Sequence, residues 1–119
     1  DTYGHDTGDY VLHCVASLLT ECIRDTDIVG RLGGEEFAIL LPNTKVTDAA
    51  KMAERIRAAI ENKSCLNNEI SKGITASLGV AQYHLALKNL DELLRDADIA
   101  MYQAKNNGRN RVEVFKSSE

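Results

Sequence analysis

Arg31-Leu32-Gly33-Gly34-Glu35-Glu36-Phe37 is the stretch on which the reading of the whole chain turns. A short apolar run, Ile28, Val29 and Leu32, leads into the two glycines. A second run, Phe37-Ala38-Ile39-Leu40-Leu41, leads out and stops at Pro42. Two strands joined through Gly33-Gly34 predict a tight hairpin, because the favoured turns need positive φ, which glycine adopts without a Cβ clash. Glu35 and Glu36 follow at once. On an extended backbone their side chains leave on opposite faces, so both can flank a ligand lying over the hairpin tip. Adjacent carboxylates beside side-chain-free backbone suit a divalent cation carrying phosphates: hard oxygen donors hold the ion, and the glycines let phosphate approach the main chain. A solvated hairpin of no special function has the same local look, so the flanking sequence has to decide.

Before the hairpin, Asp1 to Asp9 is polar and punctuated by Gly4 and Gly8, which predicts a loop. It feeds a helix of about fifteen residues whose apolar positions Val11, Val15, Leu18, Leu19, Cys22 and Ile23 recur at helical spacing. Asp9 is placed near its N-terminus, where a carboxylate accepts from free amides, and Arg24 near its other end. After the hairpin a second helix is predicted from Thr47 or Asp48, with Ala49, Met52, Ala53, Ile56 and Ile60 inward. Residues 61–72 read as a loop, and Gly73 to Ala81 as a strand, since Ile74, Ala76, Leu78 and Val80 alternate with smaller or polar residues. Asn89 and Glu92 form a capping-box-like start for a helix over Leu90 to Asn106, which Asn107-Gly108 end. Arg111 to Phe115 closes the chain as a strand.

The 119 residues predict one domain, 1–119, large enough to bury a core. Charged residues at 27% and hydrophobics at 44% are ordinary for a globular protein. A net charge of −4 argues against a broad nucleic-acid-binding surface, so phosphate recognition must be local. No apolar run reaches membrane-spanning length and no signal-peptide pattern opens the chain. Cys14, Cys22 and Cys65 form no Cys-x-x-Cys pair and read as reduced core thiols of a cytoplasmic protein; His5, His13 and His84 lack zinc-ligand spacing.

The predicted order of helix, hairpin, helix, strand, helix, strand points to an α+β sandwich, with helices on a mainly antiparallel sheet. A first helix entered straight from a polar loop implies a strand before it, as a β-α-β-β-α-β core requires. That first core strand is expected to lie outside these 119 residues.

Gly33-Gly34-Glu35-Glu36-Phe37 resembles the signature of the GGDEF family of diguanylate cyclases in its Glu variant. The likeness runs nearly end to end. Asp1-Thr2-Tyr3-Gly4-His5 with Gly8-Asp9 resembles the family's loop into its first core helix, and Leu78-Gly79-Val80-Ala81 its fourth strand. Asp96-Ala97-Asp98, Met101 to Lys105 and Gly108-Arg109-Asn110 resemble its final helix and turn.

The resemblance implies a ferredoxin-like, palm-like nucleotidyl-cyclase fold. It also implies a GTP-dependent nucleotidyltransferase that condenses two GTP molecules into cyclic di-GMP and pyrophosphate across a homodimer. Glu35 and Glu36 are then ligands of magnesium or manganese, and Gly33 and Gly34 give phosphate room at the backbone. Asp9 accepts from the guanine edge, while Lys105 and Arg109 hold the terminal phosphates. Arg24 and Asp27, as the family's Arg-x-x-Asp pair, form an inhibitory site for cyclic di-GMP that Arg55 completes from a neighbouring domain. An upstream sensory or receiver domain is the expected partner. The family's first core strand carries a metal-bridging aspartate, and an asparagine that reads guanine precedes the loop. Neither falls within these 119 residues, so the stretch alone is expected to have little or no cyclase activity. The alternative is a catalytically incompetent receptor for cyclic di-GMP or GTP.

Overall fold

The computed structural model describes residues 2–33, 36–63 and 75–116, and for residues 2–11 and 63 the backbone alone. Helix α1 spans Thr2–Cys22. It therefore starts well before Asp9, and the opening segment predicted as a loop is helical from Thr2. Glycine inside a helix costs only about 1 kcal/mol relative to alanine. With no proline to remove an amide, adding residues to an established helix absorbs that cost at Gly4 and Gly8. Asp9 accordingly stands within the helix and does not cap it.

A tight turn at Arg24–Asp27 leads into strand β1 (Ile28–Gly33), which pairs antiparallel with β2 (Glu36–Leu40). The register runs from Ile28 opposite Leu40 to Gly33 opposite Glu36, with an irregularity between Arg31 and Gly33. Gly33 is thus a residue of the ladder, and its φ of 148° is the conformation that needs glycine there. Gly34 and Glu35 lie outside the described residues. Helix α2 spans Val46–Lys63 and takes in Glu61 and Asn62, which the sequence reading assigned to a loop. An ion pair from Arg57 to Glu61, one turn on, supports this last stretch.

Strand β3 is confined to Leu78–Val80; residues 75–77 are irregular, so the predicted strand is shorter than its alternation suggested. Helix α3 spans Leu90–Asn106, as its cap and stop signals predict. Asn89 accepts from the Glu92 amide at 3.0 Å, and Glu92 accepts from the Lys88 amide at 2.8 Å. Strand β4 (Val112–Val114) pairs parallel with β3, the arrangement that a helical crossover permits.

Leu18, Leu19, Met52, Ile56 and Ile60 form the core where α1 meets α2. Val29, Phe37, Ile39 and Leu41 from the hairpin side pack on it, as do Ala76 and Leu78. The two ladders share no strand-to-strand hydrogen bond among the described residues, so apolar packing joins them. On β3 the faces divide by alternation: Leu78 meets the α1–α2 core, whereas Gly79 lies directly against the backbone of α3 at Ala97 and Met101. Ala100 and Ala104 of α3 are fully buried. Cys14 is disulfide-bonded, which corrects the reading of three reduced thiols; Cys22 is free, and Cys65 lies outside the described residues. No described helix is long and apolar enough to cross a membrane.

Candidate functional site

Strand alternation sets the geometry of the hairpin tip. Phe37 packs toward the core, so Glu36, its neighbour, is sent to the opposite face, where it is exposed. A cleft of about 370 Å³ opens between the hairpin and α1, lined by Leu12, His13, Ala16, Arg31 and Phe37. Another, of about 400 Å³, lies along α1 at His13, Ala16, Ser17, Thr20 and Glu21 and involves no hairpin residue. Only the first draws on both strands and helix, and neither cleft is lined by Glu36, Lys105 or Arg109. Asp9 lies in α1 one turn before His13.

Among the described residues no three His, Cys, Asp or Glu side chains gather as a ready metal cage. The donor chemistry nevertheless fits magnesium or manganese. Such an ion, when held together with substrate phosphates, takes one or two protein carboxylates. Glu36 offers one at the exposed tip, and Glu35 is its sequence neighbour.

Lys105 and Arg109 stand on the other half of the fold. Lys105 is half-buried in the last turn of α3. The helix then closes with the amide of Asn107 donating to Gln103 O and that of Arg109 donating to Ala104 O, both at 2.9 Å. Gly108, Arg109 and Asn110 follow with φ of 122°, 62° and 49°. For arginine this left-handed backbone costs roughly 1–2 kcal/mol and persists only where the surroundings impose it. Helix α2 links the halves, touching α1 on one side and β3 and β4 on the other.

The Arg24–Asp27 pair is a closed clasp. Arg24 Nε donates to Asp27 Oδ2 at 3.0 Å, Arg24 Nη2 to Asp27 Oδ1 at 2.8 Å, and the Arg24 amide to Oδ2 at 2.8 Å. The Asp27 side chain is wholly buried, while that of Arg24 is 48% exposed. Hydrogen bonding from Arg24 holds the Asp27 carboxyl below its usual range against the opposing effect of burial, and Asp27 in turn raises the Arg24 guanidinium. Arg24 Nη2 also reaches Thr44 Oγ1 at 2.7 Å and thereby ties the end of α1 to the loop before α2. Arg55 is exposed on α2.

Two contributions were not found from sequence. Thr44 carries no motif and meets Arg24 only through the fold. Asn110 joins Arg57, 53 positions away, at 2.8 Å. Nothing local in the sequence points to Asn110, and the reading of residues 61–72 as a loop left Glu61 out of the helix that pairs it with Arg57.

Residues 1–111 match the family described as diguanylate cyclase, GGDEF domain. The chain belongs to the GGDEF family. It is 42% identical over 118 residues to diguanylate cyclase A of Treponema denticola, covering 99% of this chain and 32% of that protein. It is 45% identical over 112 residues to diguanylate cyclase DgcM of Escherichia coli K12, covering 94% of this chain and 26% of the relative. The chain thus spans about a quarter to a third of these curated relatives. The active GGEEF domain of a diguanylate cyclase from Vibrio cholerae superposes with a TM-score of 0.90 at 38% identity, over 99% of this chain and 74% of that one. The GGDEF domain of DgcB from Caulobacter crescentus, solved in complex with c-di-GMP, superposes at 0.88 and 32% identity, over 98% and 70%. These GGDEF domains share the α+β architecture described above.

Proposed function

We propose that this GGDEF domain is the catalytic part of a cytoplasmic diguanylate cyclase. It binds one GTP and acts with a second copy of itself, each chain supplying one nucleotide. The 3′-oxygen of one GTP forms a bond to the α-phosphorus of the other, the bond from that phosphorus to the bridging oxygen breaks, and pyrophosphate leaves. Repetition in the opposite sense closes the ring of cyclic di-GMP. The carboxylates at the tip take up the hydroxyl proton, Glu35 and Glu36 being the residues that would hold the cation. Magnesium or manganese, when bound, neutralises phosphate charge and lowers the pKa of the attacking hydroxyl. Asp9 accepts from the paired N–H donors of guanine, since an ionised carboxylate only accepts. Gly33 and Gly34 leave the main chain open to phosphate, and Lys105 and Arg109 hold the terminal phosphates. An upstream sensory or receiver domain sets the encounter of the two copies.

The observation that carries this reading is the hairpin, whose tip leaves Glu36 exposed on the face away from the core. For the inhibitory site, the support is an Arg24 guanidinium held in place by Asp27 yet half exposed, with Arg55 exposed on α2. The test is turnover by the full-length protein with GTP and magnesium, measured as pyrophosphate release and cyclic di-GMP formation. Glu35→Gln is expected to lower kcat by on the order of 100-fold. Full turnover by that variant, or none by the parent in either metal, would overturn the assignment.

A further inference from the structure

Arg57 is an arginine with only 17% of its side chain exposed, and its bonds close on a residue far along the chain. Glu54 grips it from both carboxylate oxygens: Nε donates to Oε1 at 2.9 Å and Nη2 to Oε2 at 2.7 Å. Arg57 Nη1 donates to Glu61 Oε1 at 2.9 Å and to Asn110 Oδ1 at 2.8 Å. Asn110 Nδ2 donates to Glu61 Oε2 at 2.9 Å, so both ends of the Asn110 amide are engaged and a three-membered ring of side chains is complete. The ring fastens α2 to the second of two consecutive non-glycine residues in left-handed backbone, Arg109 and Asn110.

We infer that Arg57 and Asn110 are positioning residues for the phosphate-holding end of α3, fixing the left-handed turn from which Arg109 projects one turn beyond Lys105. The inference rests on the reading of Lys105 and Arg109 as phosphate ligands. Glu54 and Glu61 satisfy and orient Arg57; Arg57 and Glu61 together read the Asn110 amide; and Asn110 settles the backbone that aims Arg109. The charge of Arg57 is spent inside this ring, so it serves the nucleotide only through that turn.

The experiment compares full-length parent, Asn110→Gly, Arg57→Met and Arg109→Ala for binding of GMP and of a GTP analogue with a methylene α–β bridge, with magnesium, by calorimetry. Glycine keeps the left-handed backbone free of strain and deletes only the clasp. The clasp variants are expected to bind the triphosphate analogue about tenfold more weakly with GMP affinity unchanged, as is Arg109→Ala. A general loss of structure would weaken both ligands alike, and that outcome overturns the proposal. If Arg109→Ala weakens the analogue while Asn110→Gly and Arg57→Met do not, the clasp has no positioning role. If Arg109→Ala also leaves the analogue unaffected, the phosphate-holding reading fails and the inference with it.

Discussion

Replacing Gly79 by alanine is expected to pry strand β3 from helix α3. A Cβ at this position would run into the Ala97 carbonyl oxygen and the Met101 amide nitrogen and lie 2.9 Å from the Ala100 carbonyl carbon. All three are backbone atoms of a helix, so no side chain can swing aside. Restoring ordinary contact at about 3.5 Å requires the strand and helix to separate by more than about 1 Å. That gap opens beside Val80, Ala100 and Ala104, which are buried. Overpacking of this kind costs about 1–3 kcal/mol, and a rigid backbone obstacle puts Gly79→Ala at the upper end, about 3 kcal/mol. With an unfolding entropy of about 2.1 cal/mol/K per residue, a domain of this size loses roughly 12 °C in Tm. Gly30→Ala is the control, because a Cβ there meets nothing within 4 Å. It is expected to stay within about 0.5 kcal/mol of the parent. Urea unfolding followed by far-UV circular dichroism reads both, with the slope checked for constancy. Equal midpoints for Gly79→Ala and the parent would refute the packing argument, as would a larger loss at Gly30.

Asn89→Ala removes the acceptor for the Glu92 amide and is expected to cost about 1 kcal/mol in the same assay, with Asn89→Asp close to the parent. Asp27→Asn tests the Arg24 clasp through pH. In the fold the Asp27 carboxyl lies below its usual range, so the stability it adds is present above the unfolded carboxylate value of about 4 and is lost as pH falls through the lower folded value. The variant is therefore less stable than the parent at neutral pH and the gap closes in acid; a gap that stays constant from pH 7 into the acid range would contradict the assignment.

Much of the fold was legible because its signals are local. Helix α3 could be bounded at Leu90 and Asn106 since its cap, its apolar stripe and its stop each act within a turn of the residues they control. The hairpin was readable from the glycines and flanking apolar runs, and the inward stripe of Met52, Ala53, Ile56 and Ile60 from period alone. The start of α1 was misread because glycine marks loops only on average. The short, parallel β3–β4 ladder was missed because strand direction is decided by the crossover between two strands, which neither strand's own residues encode. Around the candidate site the division is similar. Gly33 and Glu36 are marked by residue type and by their place at the hairpin, whereas Lys105 and Arg109 were singled out only through the resemblance to the GGDEF family. What surrounds them came only from the tertiary structure: the cleft that α1 shares with Arg31 and Phe37, the Thr44 hydroxyl on Arg24, and the Asn110 amide read by Arg57 and Glu61. Sequence by itself determined what each segment could form, because backbone preference and periodicity reach only a few residues. Which distant side chains complete one another's hydrogen bonds was decided by chain topology, because only folding brings Arg57 and Asn110 within 2.8 Å.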